Sequence, residues 1–130
     1  MKSIILSINI FLLAISFANA QNAISDSDII GTWKGSSTCQ IKNSGCHDEI
    51  VVYYISKGQS SDSFSISASR ITNGKEVGMG VLGFALDRKK NQLVSDSQYG
   101  LWTLNCKGKD IDGTLLESGK LFRVVKLKKQ

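Results

Sequence analysis

Three cysteines, one histidine, a glycine-rich run and a pair of aspartates are the parts of this 130-residue chain with chemistry to offer. Cys39 and Cys46 flank a segment whose Asn43-Ser44-Gly45 is a turn signal, so a hairpin there would bring the two sulfurs together. Closing a loop of that length is worth about 2.5 kcal/mol in the chain-entropy account. Cys106 sits in an apolar run and reads as a small buried hydrophobe, the odd thiol left over, although the sequence alone leaves open its pairing with either of the others. His47 is followed by Asp48 and Glu49. On a strand the adjacent Cys46 points away from His47, which removes a nucleophile–base pair, and His47 with Glu49 gives two metal ligands where a site needs more. Asp110 and Asp112 share a strand face, but Lys107 and Lys109 beside them describe a charged turn rather than two acids lining a glycosidase cleft. Gly78-Met79-Gly80-Val81-Leu82-Gly83 matches the spacing of a dinucleotide fingerprint. That chemistry needs a strand ending at the glycines and a helix starting there. Here the run continues through Phe84-Ala85-Leu86 as a strand, and the glycines read instead as a bend or as room for the Trp33 ring. No catalytic residue, metal ligand set or cofactor site is expected.

The elements that must position these residues are β-strands. Residues 1–20 have a basic start at Lys2, an apolar core and an Ala18-Asn19-Ala20 end, the pattern of a cleaved secretory signal peptide. The apolar run, broken by Ser7 and Asn9, is short for a membrane span. No cysteine follows the cleavage site to carry a lipid. The expected mature chain is 21–130, a single domain, secreted or periplasmic, where disulfides form. Without Lys2 it carries 15 basic and 11 acidic residues, a net charge of +4 spread over turns and the C-terminus. That spread lacks the dense basic stripe of a nucleic-acid binder. Strands are expected near 29–38, 48–56, 63–71, 77–87, 92–97, 100–106, 110–117 and 120–128, with Asn73-Gly74 the strongest hairpin signal. Only a turn of helix is expected, around Ala23–Ile29. Eight strands linked by short turns close economically into an all-β, antiparallel, up-and-down barrel, which leaves no edge exposed. Phe64, Ile66 and Ala68 alternate with serines, and Arg123, Val125 and Leu127 share a face. Residues 50–55 are apolar on both faces, as in a strand covered from outside or packed against the N-terminal segment.

Gly31-Thr32-Trp33-Lys34 on the first strand, with Arg123 on the last, resembles the calycin superfamily of lipocalins, fatty-acid-binding proteins and avidins. The resemblance implies that Gly31, Trp33 and Arg123 close one barrel end, the basic side chain lying on the indole ring. The chain departs from the relatives. It has no helix-turn-helix between its first two strands, no C-terminal helix and no recognisable biotin set. An inward Trp33 carries Gly31, Gly35 and Ser37 with it. Phe64 likewise carries Arg70, and Trp102 carries Leu104 and Cys106. Tyr54 joins them if Ile50 and Val52 face in. Arg70, Trp102, Tyr54 and Phe64 are thus the candidate ligand-binding residues. In the calycin manner Arg70 would anchor a carboxylate at the mouth of an apolar cavity; the competing reading leaves Arg70 solvated at the rim. The function expected is non-catalytic binding of a small apolar or amphipathic molecule, anionic ones included. The alternative is a protein-interaction module with a secreted protein partner, such as an inhibitor of a hydrolase. A cavity of roughly 300 Å3 or more favours the first.

Overall fold

The computed structural model describes residues 23–41 and 45–130. The expected leader 1–20, its cleavage site and the mature start at Gln21 lie outside the described residues. A four-residue helix, α1 (Asp26–Ile29), precedes eight strands. These are β1 (Gly31–Cys39), β2 (Glu49–Lys57), β3 (Ser63–Thr72), β4 (Lys75–Asp87), β5 (Gln92–Ser97), β6 (Gly100–Lys107), β7 (Asp110–Glu117) and β8 (Lys120–Lys129). Each pairs antiparallel with its neighbour in sequence, and β1 closes on β8. β1 begins two residues later than the pattern of apolar residues suggests, because Ile29 belongs to α1. β4 begins earlier, at Lys75, because the Asn73-Gly74 turn is tight: both residues take positive φ, 51° and 75°, as a hairpin turn twisted with its strands requires.

Alternation turns one set of side chains inward to make the core. Val51, Tyr53 and Ile55 come from β2, Phe64 and Ile66 from β3, Phe84 and Leu86 from β4. Leu93, Leu104, Cys106, Ile111, Val125 and Leu127 complete it from the other side. The β3–β4 ribbon is the longest, and its register shifts opposite Ala68 and Ser69, leaving Met79 as an extra residue in β4.

One end of the barrel is stoppered by α1. Its Ile29 is fully buried beside Trp33, whose indole Nε1 donates to the Ile29 carbonyl at 2.8 Å. Lys129 lies with its Nζ 5.8 Å from the Trp33 ring centroid and donates to the carbonyls of Ser27 (2.8 Å) and Asp28 (3.0 Å). Asp26 is held by Lys57 at 2.9 Å and by Arg88 at 3.0 Å, while Arg88 also binds Asp62 at 2.8 Å. Gly31 opens β1 at φ 144°, and a Cβ there would crowd the Lys129 side chain at 3.1 Å. The expectation that Arg123 packs on Trp33 is corrected here. β8 runs antiparallel to β1, so Trp33 stands opposite Lys129, and Arg123 stands opposite Cys39 at the far end.

Candidate functional site

Opposite the stopper the barrel holds a cavity of about 300 Å3. Its walls are apolar and aromatic: Tyr53, Ile66, Ala68 and Phe84 from the barrel interior, Met79 to Leu82 from β4, and Tyr99 and Trp102 across from them. Of the four candidate binding residues only Trp102 lines it. Phe64 is buried lower down, with Lys57 over its ring at 4.6 Å. Tyr54 is on the outside, which corrects the inward placement. The β1–β2 register sets Trp33 opposite Tyr53, so Tyr53 and not Tyr54 shares the inner face. The Tyr54 hydroxyl donates to Glu76 at 2.7 Å, a bond that raises the phenol pKa. On the same outer face Val52 and its partner Ser69 are buried.

Arg70 does share the Phe64 face, but it stands at the rim with its side chain 47 % exposed and does not reach Trp102 or the cavity wall. Its partner is Glu49 at 3.6 Å. Arg123, 14 % exposed, approaches the same carboxylate at 3.8 Å and donates to Ser37 Oγ at 3.0 Å and to the His47 carbonyl at 3.1 Å. Two guanidinium groups therefore share one carboxylate at the barrel end away from α1. The disulfide Cys39–Cys46 is formed, and it fixes the segment carrying His47 against Arg123. Asp48 steadies this end by accepting from the Cys39 backbone N–H at 2.8 Å. Glu49, weighed above only with His47 as a metal pair, takes its place here by alternation from Val51, and Lys129 takes its place from the antiparallel closure of the barrel.

Burial raises the Tyr53 phenol well above its usual range; the nearby Arg123 charge opposes this and Glu49 adds to it. Tyr53 is thus held in its neutral form on the cavity wall. The Cys106 thiol is free and buried, pushed up to about 11 by desolvation. Among the described residues no three His, Cys, Asp or Glu side chains are grouped to hold a metal, and no helix is long and apolar enough to cross a membrane.

A closed eight-stranded meander whose first-strand Trp plugs one end beneath a basic residue of the last strand has one architecture. It is the closed up-and-down barrel that the calycin resemblance implies. A solved structure similar to this barrel is that of the siderocalin Ex-FABP, described as functioning through dual ligand specificities. The two share 14% identity, the match covers 78% of this chain and 73% of that chain, and the TM-score is 0.43. No protein-family model matches the sequence, and no curated protein matches it.

Proposed function

We propose that this calycin-like barrel is an exported, non-catalytic binder of a small apolar or amphipathic molecule. The observation that carries the reading is the cavity of about 300 Å3 with aromatic walls at the end of the barrel away from the stopper, at the lower bound of the volumes that small-molecule sites occupy. Apolar walls favour an apolar body through the area removed from water. The Tyr53 hydroxyl offers one donor inside. A polar or acidic end of the ligand faces the mouth, where Arg70 and Arg123 share Glu49. The disulfide supports an oxidising destination.

Titration with a fatty acid and with the fatty alcohol of equal length, read by Trp102 fluorescence, tests this. Both should bind, the acid more tightly. Arg70→Ala should weaken the acid by about tenfold, the worth of one charge-assisted hydrogen bond, and leave the alcohol unchanged. Binding of neither, together with a hydrolase co-purifying from the native host, would replace this reading by the inhibitor one.

A further inference from the structure

The glycine run that resembles a dinucleotide fingerprint finds its use at the wall of the cavity. Gly78, Gly80 and Gly83 have open space where a Cβ would stand, with no atom of the Trp33 ring or any other group within 4 Å of it. Gly80 takes φ 123°, which disfavours any other residue. This part of β4 is also an edge. β4 and β5 are joined only at Ala85–Val94, Leu86–Leu93 and Asp87–Gln92; beyond Ala85 the register between them stops, although β5 runs on to Ser97. The side of the barrel is therefore unzipped at the level of the cavity.

Backbone direction follows from one bond. Leu86 N–H donates to the Asp62 carbonyl on the β3 side at 2.7 Å. Backbone groups alternate along a strand, so Leu82 and Phe84 also face β3, while Val81, Gly83 and Ala85 face β5. Ala85 has its β5 partner; Val81 and Gly83 have none. The lining tells the same story, because Met79, Gly80, Val81 and Leu82 all border the cavity. Consecutive residues cannot do so from one face of a strand. They border it with the strand edge.

We propose that the ligand taken by this site is an extended apolar peptide segment. It adds to the free edge of β4, exchanges backbone hydrogen bonds with Val81 and Gly83, and drops one apolar side chain between Trp102, Tyr99 and Phe84. The chemistry decides the class. A bare hydrocarbon would fill the cavity but leave the strand-spaced donors and acceptors unused, whereas a peptide matches both, and absent side chains at the glycines leave its backbone room to approach. Val81, 67 % exposed, and Tyr99, 63 % exposed, would lie beside the added strand. This deepens the proposed binding function and rests on it.

The test uses the full chain, the neutral dye N-phenylnaphthylamine as a cavity probe, and a fluorescein-labelled hexapeptide alternating Leu or Val with Thr. The dye should bind and the peptide should displace it. Two analogues are N-methylated at alternate residues, one set on each edge of the peptide. One analogue should lose about tenfold or more in affinity and the other should bind like the parent, because only one edge pairs with β4. Equal affinity of both analogues would overturn the proposal, as would a dye that binds but is never displaced. The latter leaves small-molecule binding standing, whereas failure of both dye and peptide to bind removes the function with it. A dimer of the free chain that pairs β4 with β4 and excludes the peptide would likewise overturn it.

Discussion

Trp33 is the side chain whose loss the molecule should feel most. It is fully buried, hydrogen-bonded to Ile29 and covered by Lys129. Trp33→Ala should destabilise by about 3–5 kcal/mol, the usual range for a buried Trp. Lys129→Ala should cost less, and a double-mutant cycle by urea denaturation should show coupling between the two because they touch. Arg123→Ala should be additive with Trp33→Ala: Arg123 lies six steps along β8 from Lys129, about 20 Å of strand. Coupling to Arg123 instead of Lys129 would contradict the register. Cys106 makes a second prediction at this scale. With its thiol pushed up to about 11, it should resist Ellman's reagent at pH 8 in the native protein. Denaturation without reductant should then expose one thiol per chain; three would mean that the Cys39–Cys46 bridge is absent.

At the scale of the element, α1 is four residues long and cannot be stable by itself; its attachment to the barrel holds it. The attachment is ionic as well as apolar. Hydrogen bonds from Lys57 and Arg88 hold the Asp26 carboxyl below its usual range, and bonds from the Ser25 hydroxyl and backbone do the same to Asp28. Both folded pKa values are depressed, so the stability they contribute is present above the ordinary value of 3.8. It is lost as pH falls from there through the folded values. Asp26→Asn should lower the melting temperature slightly at neutral pH and flatten its decline in acid. Because these groups are exposed, 1 M salt should shrink the difference between mutant and wild type. An unchanged acid limb would show that the Asp26 ion pairs do not help to hold α1, leaving Ile29, Trp33 and Lys129 to do so. Tyr54 and Glu76 give the opposite sign on the outer face: a raised phenol pKa contributes stability below pH 10 that disappears at more alkaline pH.

For the molecule as a whole the question is whether the barrel interior is space to be used or merely imperfect packing. Ala68→Phe places a ring in the cavity from a rung flanked by Tyr53 and Gly80. If the space serves binding, the substitution should leave stability unchanged or raise it by about 1 kcal/mol, as cavity-filling changes do. Dye affinity should fall by about tenfold or more. A loss of several kcal/mol would mean that the walls are already in contact and nothing is there to fill.

Much of this architecture was legible along the chain, because strand and turn chemistry is local. Alternation in 63–71, Asn73-Gly74, and the short separators among eight apolar runs suffice to predict a closed antiparallel meander, and the spacing of Cys39 and Cys46 predicts their bridge. What the chain could not show is which residue faces which. Residues 50–55 are apolar on both faces, so their parity is invisible until β1 pairs with β2 and sets Trp33 beside Tyr53. β8 is rich in basic residues, and only its register against β1 puts Lys129 rather than Arg123 over the indole. Arg70 has the inward parity of Phe64 yet ends at the rim, because parity fixes a face and strand length fixes depth. The β4–β5 opening left no mark in hydrophobic periodicity at all. Periodicity reports where side chains point, and an unzipped edge is a matter of where a neighbouring backbone ceases to follow.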